Sequence, residues 1–338
     1  AAMGGHTGYS LIPGTPALRD RIAARVTERT GVPTTRDNVL VTPGGQAALF
    51  AAHMGVCDPG DTALFIDPHY ATYPGTLRAA GAVPHAVATR PERAFLPDPE
   101  DVAAAARATG AVSLLINTPN NPTGAIYPRA TLEGLARVAE AEDFWLISDE
   151  VYDTQIWEGR HLSPRALPGM AARTLVLGSM SKSHAMTGSR IGWIVGPESA
   201  IARFYDLSVN TTYGVPGYIQ DAALFALEQG SALEARVAEP FRRRRALAQE
   251  ILARQNAVGL IPSGGAMYLF LDIRSTGFSG EGFANALLDH HHIAVMPGES
   301  FGATAAGFVR VAMTIPDERF AEALHSLCRF AEGVARAA

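Results

Sequence analysis

The sequence predicts an α/β protein: a seven-stranded, mainly parallel sheet with helices on both faces, joined to a smaller α+β unit at the C-terminal end. Three observations predict it. Short apolar, β-branched runs alternate with helical patterns over the first part of the chain, the alternation that a parallel sheet covered on both faces requires. The 338 residues suit about two structural units. From residue 264 onward the order changes to strand, helix, strand, strand, helix, which reads as a separate unit.

The strands are read at residues 38–42, 62–66, 83–87, 112–116, 144–148, 174–178 and 190–195. Helical patterns separate most of them, for example 46–56, 99–107 and 128–142. The last two open on a proline, which suits a first helical turn because no hydrogen bond is lost there. Only residues 179–189 join the last two strands, too short a link for a comfortable parallel crossover, so the strand at 190–195 is expected to run antiparallel. Helices follow near 197–207, 216–229 and 231–255, and the run Arg242 to Arg245 on the last reads as a solvated helix face. The smaller unit then gives strand 266–272, helix 280–289, strands 293–296 and 308–313, and helix 317–336. The expected division is 1–235 for the large unit and 236–338 for the small one, with residues 4–8 entering as a loop.

Charge and composition narrow the function class. A net charge of -5, with 18% charged and 47% hydrophobic residues, fits a soluble globular protein and gives no basic footprint for nucleic acid. Cys57 and Cys328, with no Cys-x-x-Cys, offer neither a disulfide framework nor a zinc ribbon, so a cytoplasmic location and a packing role on helices are expected. The apolar runs fall short of the roughly 20 residues of a membrane span, and no basic leader precedes one. His290, His291 and His292 are adjacent, so their side chains diverge; a solvated turn is expected there, and no metal site. Met3, Trp145 and Trp193 read as core or strand fillers.

One count carries chemistry. Of 28 basic residues 27 are arginine, leaving Lys182 as the single lysine. Arginine stays protonated in proteins, whereas a lysine amine can lose its proton and attack a carbonyl. Lys182 lies in Gly178-Ser-Met-Ser-Lys-Ser-His, just past a strand, where open α/β sheets bind ligands. A phosphate loop of the Walker type would need glycine where Ser181 and Val176 stand, and no Gly-x-Gly-x-x-Gly follows a strand, so the nucleotide readings fail.

Other strand ends gather compatible groups. Pro43-Gly-Gly-Gln-Ala-Ala48 joins a strand to a helix, so backbone N–H groups at Gly44, Gly45 and Gln46 can face an anion, although such a turn is also an ordinary one. Asp149 ends the run Phe144-Trp-Leu-Ile-Ser-Asp, followed by Glu-Val-Tyr152; buried, it needs a cationic partner, such as a protonated ring nitrogen, and exposed it only caps a loop. Asn117-Thr-Pro-Asn-Asn-Pro-Thr-Gly124 follows another strand and offers Asn121 as an amide donor.

In these motifs the chain resembles the class I/II aminotransferases, pyridoxal 5'-phosphate enzymes of fold type I, over nearly its whole length. Asn-Asn-Pro-Thr-Gly, Ser-Asp-Glu-Val-Tyr, and Ser-x-Ser-Lys with Arg190 eight residues later carry the resemblance, in the family's order. It implies Lys182 as cofactor tether and proton carrier, and Asp149 as partner of the pyridine nitrogen. It also implies Asn121 and Tyr152 as donors to the cofactor's phenolic oxygen. Gly44, Gly45, Gln46, Ser179, Ser181 and Arg190 would form the phosphate cup, and Tyr70 would stack on the ring. Arg310 would clamp the substrate α-carboxylate, with Asn121 beside it; without the resemblance Arg310 reads as an edge-strand surface charge. Tyr9 is similar to the tyrosine that reaches the neighbouring subunit's phosphate, which implies a homodimer and a longer segment before it.

The implied reaction moves the amino group of an L-amino acid to a 2-oxo acid. Residues 181–188, 213–223 and 272–279 are similar to stretches in family members that take arginine as donor and pyruvate as acceptor. A lyase or decarboxylase using the same cradle, or a non-catalytic sensor of the same fold, are the alternatives.

Overall fold

The computed structural model describes residues 2–4 and 7–335. The large sheet holds β1 (Val39–Thr42), β2 (Thr62–Asp67), β3 (Val83–Ala88), β4 (Ser113–Asn117), β5 (Trp145–Asp149), β6 (Thr174–Ser179) and β7 (Gly192–Val195). Their spatial order is β1-β7-β6-β5-β4-β2-β3, which puts β5 in the middle. Strands β2 to β6 pair in parallel, while β7 runs antiparallel to β6 and β1, as its short connection predicts.

Side chains alternate across each strand, so one strand feeds two cores. Leu64, Ile66, Leu114, Ile116 and Leu146 pack on Val102 of α4 (Pro99–Thr109) and on Leu132 and Leu135 of α5 (Arg129–Ala141). On the other face Phe65, Leu115 and Ile147 meet Leu49 of α2 (Gly45–Val56) and Phe204 of α7 (Glu198–Asn210). Val39, Val41 and Trp193 are covered by α1 (Pro16–Thr30) and α8 (Gly217–Glu228) through Leu18, Ile22 and Leu227. Two short helices complete this unit, α3 (Tyr73–Ala79) and α6 (Met180–Ser183). Neither was expected, because so few residues cannot display a helical period.

The long helix α9 (Gly230–Leu252) spans residue 235 and leads into the second sheet, order β10-β11-β9-β8, which is antiparallel throughout. Its members are β8 (Gly259–Leu260), β9 (Tyr268–Asp272), β10 (Met296–Pro297) and β11 (Phe308–Ala312), with α10 (Gly280–His291) and α11 (Asp317–Ala335) packed on them. The expected strand at 293–296 shrinks and shifts to β10, which pairs only Met296 and Pro297 with β11 at the sheet edge. Arg310 sits on β11, an inner strand and not an edge.

The arginine run departs from a solvated face. Successive helical residues point about 100° apart, so four in a row cannot share one side. Arg244 donates to Asp317 Oδ1 at 2.7 Å and to the Met313 carbonyl at 2.9 Å; Arg245 pairs with Glu158 and donates to the Ser263 carbonyl at 2.9 Å. Cys57 and Cys328 are buried thiols, Trp193 is buried and Trp145 half-buried. Met3 is fully exposed instead of filling a core. His290 and His291 belong to the last turn of α10 and His292 takes the left-handed cap position, so they extend the helix past the expected turn. Residues 5–6 of the entering loop and Arg336 of the last helix lie outside the described residues. Among the described residues no helix is long and apolar enough to cross a membrane.

A largely buried charge cluster ties α1 to α9. Arg25 and Arg29 of α1 each pair with Asp153, after β5, and with Glu234 of α9. Removing one member strands buried guanidinium charge. Glu234→Ala is therefore expected to lower unfolding stability by about 3 kcal/mol in urea titrations, and a loss within experimental error would show the cluster to be solvated.

Candidate active site

Strands β1, β2, β4, β5 and β6 end at one edge of the sheet, and the loops that follow them enclose a cavity of about 230 Å³. Gly45, Gln46, Tyr70, Asn121, Asp149, Tyr152, Ser179, Ser181, Lys182 and Arg190 all line it. Ten of the thirteen sequence-expected residues, scattered over more than a hundred positions, thus meet in one place; Gly44, Arg310 and Tyr9 are not part of its lining.

Asp149 closes the middle strand. Burial pushes its carboxyl up to about 6, and the neighbouring Glu150 adds to the rise; hydrogen bonds from the Tyr73 hydroxyl to Oδ2 at 2.7 Å and from the Val151 N–H to Oδ1 at 3.2 Å hold it back. Among the described residues it forms no ion pair. Its strand partner Asn117 pins two loops at once, donating to the Asp149 carbonyl at 2.9 Å and accepting from the Asn121 N–H at 2.7 Å.

An anion cradle lies at the start of α2, where no side chain caps the first N–H groups. Gly44 takes φ +85°, and a Cβ there would come within 2.5 Å of the Arg190 guanidinium, so glycine lets this cation close on the turn. Arg190 itself has φ 48° and donates to the Thr187 carbonyl at 2.9 Å. Ser179 caps α6, its Oγ accepting from the Ser181 N–H at 3.1 Å. The Gln46 side chain turns aside, donating to Thr76 at 2.7 Å and accepting from Thr72 at 3.2 Å, which leaves its backbone N–H for an anion.

Lys182 sits on α6 at the cavity wall, and among the described residues it has no ion-pair partner. Across from the large sheet, Arg310 stacks over Tyr268 at 4.2 Å and over Phe301 at 4.7 Å, and donates to Asn121 Oδ1 at 2.9 Å. Its buried Nε has no partner. The Tyr152 hydroxyl lies 3.1 Å from that of Tyr268. Tyr9 stands apart: it is 94% exposed and contacts Tyr213 edge-on at 5.4 Å. Six lining residues escaped the sequence reading: Leu49, Tyr73, Asn117, Val151, Thr187 and Tyr268. Tyr73 and Asn117 carried a weak signal, three residues past Tyr70 and at the end of an apolar run; Tyr268, inside an apolar strand, carried none.

This arrangement has close relatives. The sequence profile of the family described as Aminotransferase class I and II matches residues 1–327. The chain belongs to the class I and II aminotransferases. It is 43% identical over 328 residues to the arginine–pyruvate transaminase of Pseudomonas aeruginosa, covering 97% of this chain and 82% of that one. To the aspartate/prephenate aminotransferase of Thermus thermophilus it is 38% identical over 337 residues, covering 98% and 85%. A double mutant of Thermus thermophilus aspartate aminotransferase superposes with a TM-score of 0.91 at 36% identity, over 97% of this chain and 85% of that structure. An aromatic aminotransferase from Pyrococcus horikoshii gives 0.94 at 28% identity, over 98% and 89%. As an aminotransferase the protein is an enzyme of amino-group transfer, which favours transfer over the elimination and sensor readings, and its family depends on pyridoxal phosphate.

The raised Asp149 pKa makes a stability prediction for this aminotransferase. An ordinary carboxyl near 3.8 that moves to about 6 on folding costs nothing below 3.8, and costs progressively more as pH rises to 6. Asp149→Asn is expected to stabilise the cofactor-free protein by on the order of 2 kcal/mol at pH 8. At pH 4.5 the gain should shrink by more than half, and urea titrations at the two pH values that show equal gains would refute the cause.

Proposed function

We propose that this aminotransferase holds pyridoxal phosphate on Lys182 and transfers the amino group of a non-dicarboxylic L-amino acid, arginine foremost, to pyruvate. The observation that carries the reading is the meeting, in one cavity, of a lone lysine amine, a buried carboxylate without a cation and an anion cradle. A protonated pyridine nitrogen answers Asp149, a phosphate answers α2 and Arg190, and an aldehyde answers the amine, so the residues present fit the cofactor.

When bound, pyridoxal phosphate supplies an electron sink for the charge left when the substrate Cα loses its proton. Asp149 keeps the pyridine nitrogen protonated, and Tyr73 and Val151 keep Asp149 aimed. Lys182 tethers the cofactor and then moves the proton at Cα. Asn121 and Tyr152 donate to the phenolic oxygen, Tyr70 covers the ring, and the N–H groups of Gly44, Gly45 and Gln46 hold the phosphate with Ser179, Ser181 and Arg190. Arg310 takes the α-carboxylate of donor and acceptor alike by a two-pronged pair.

The donor class follows from what is missing beyond that clamp. Among the described residues lining the cavity the cations are Lys182 and Arg190, both assigned, so this chain offers a distal carboxylate no further cation there. The Pseudomonas relative is named for arginine and pyruvate, which supports a basic donor. We further assign Tyr9 to the phosphate of the partner subunit's site in a homodimer, supported by its full exposure beside exposed Leu11 and Tyr213. Two buried, unpaired thiols agree with a reducing cytoplasm.

Visible absorbance of the protein loaded with pyridoxal phosphate tests the reading. A band is expected that arginine discharges and pyruvate restores, and that Lys182→Ala abolishes. Discharge by aspartate as fast as by arginine would overturn the donor class, and no band would overturn the cofactor. Asp149→Asn should lower kcat about a hundredfold or more. Tyr9→Phe should weaken cofactor retention without changing the mass in sedimentation; unchanged retention, or a monomeric wild type, would remove its role.

A further inference from the structure

Beside the cavity, a segment of the large unit is locked onto a turn of the small one by side chains that no role above employs. Asp67 ends β2, and Pro68, His69 and Tyr70 lead from it to the cavity. Facing them is the turn 301–304. Asp67 Oδ2 accepts from the N–H groups of Ala303 at 3.0 Å and Thr304 at 3.4 Å, and Oδ1 accepts from the Thr304 hydroxyl at 2.8 Å. The backbone N–H and the ring Nδ1 of His69 both donate to the Phe301 carbonyl, each at 2.8 Å. Gly302 has φ +121°, and a Cβ on it would sit 2.0 Å from Asp67 Oδ1, so the turn is moulded around this carboxylate.

The lock reaches the substrate clamp in one step. Phe301 is buried and presents its ring to the Arg310 guanidinium, which Tyr268 covers on another side and Asn121 holds by its amide oxygen. In the other direction the residue after His69 is Tyr70. The lock thus acts, through Phe301, on the guanidinium that stands opposite Tyr70.

We propose that Asp67, supported by His69, is a positioning residue for the carboxylate end of the substrate: it fixes the turn 301–304 so that Arg310 stands at the right distance from the Tyr70 side of the cavity. The proposal rests on the reading of Arg310 as carboxylate clamp. A clamp displaced by a fraction of an ångström loses affinity for every substrate that carries an α-carboxylate, amino acid and 2-oxo acid together, and changes nothing for an amine that lacks one.

The test uses the cofactor-loaded enzyme and reads KM and kcat for donor and acceptor, the visible band, and the half-reaction rate with a carboxylate-free amine. Asp67→Ala is expected to raise both KM values about tenfold and Thr304→Val about threefold, with kcat and the band little changed and the amine rate as in wild type. Arg310→Lys should raise KM alone, and adding Asp67→Ala to it should cost nothing more. Equal losses on the amine, full additivity in the double variant, or a fall in kcat at constant KM would overturn the positioning role. An unchanged KM in Arg310→Lys would overturn the clamp itself, and with it this inference; a raised KM there beside normal values in Asp67→Ala and Thr304→Val would overturn the inference alone. Should Asp67→Ala fail to fold, Thr304→Val, which removes one hydroxyl from a half-buried position, decides by the same comparison.

Discussion

A carboxylate buried at the end of the middle strand, with no positive charge beside it, is the constraint to which the surrounding structure responds. Asp149 lies at the C-terminal end of β5, between β4 and β6, and is largely buried at the cavity wall. Burial drives its pKa to about 6, and the protein answers with neutral donors alone, a phenol and a backbone N–H. Tyr73, which supplies the phenol, is the first residue of α3, so that short helix is anchored where the carboxylate needs it. The protein thus tolerates at its centre a carboxylate with no cation of its own, and under the proposed function that cost favours binding of a protonated pyridine nitrogen.

Everything else at the site is arranged from separate elements on this fixed point. Asn117 bridges the Asp149 carbonyl and the loop carrying Asn121, and Asn121 in turn receives Arg310 from the small sheet. A chain of hydrogen bonds therefore runs from the middle strand of one sheet to an inner strand of the other. Rigid strands set its ends, while the irregular loops between them carry the groups that face the cavity.

Much of this was legible in the sequence, for physical reasons that differ by element. The sheet was readable because strands buried on both faces must be apolar runs, and β7 betrayed its direction through the length of one connection. Lys182 stood out because a chain that uses arginine everywhere else leaves its one lysine only where a titratable amine is needed. Asp149, Asn121 and Arg190 were readable as strand-end residues in motifs. The partners that hold them were not. Tyr73 and Tyr268 look like any aromatic in an apolar stretch, and their hydroxyl contacts depend on packing between distant segments. Arg310 read as an edge charge because strand order in the small sheet is invisible to periodicity. Arg244 and Arg245 read as solvated because their acceptors, Asp317 and Ser263, come from far along the chain.

The lone lysine on α6 has a consequence outside the reaction itself. Acetylation, carbamylation and attachment of ubiquitin-like proteins commonly use a lysine ε-amine, and in the sequence given the one ε-amine lines the cavity. The other 27 basic residues of the sequence are arginines, which carry no ε-amine. If Lys182 holds the cofactor as proposed, a reagent that modifies this side chain competes directly with cofactor binding.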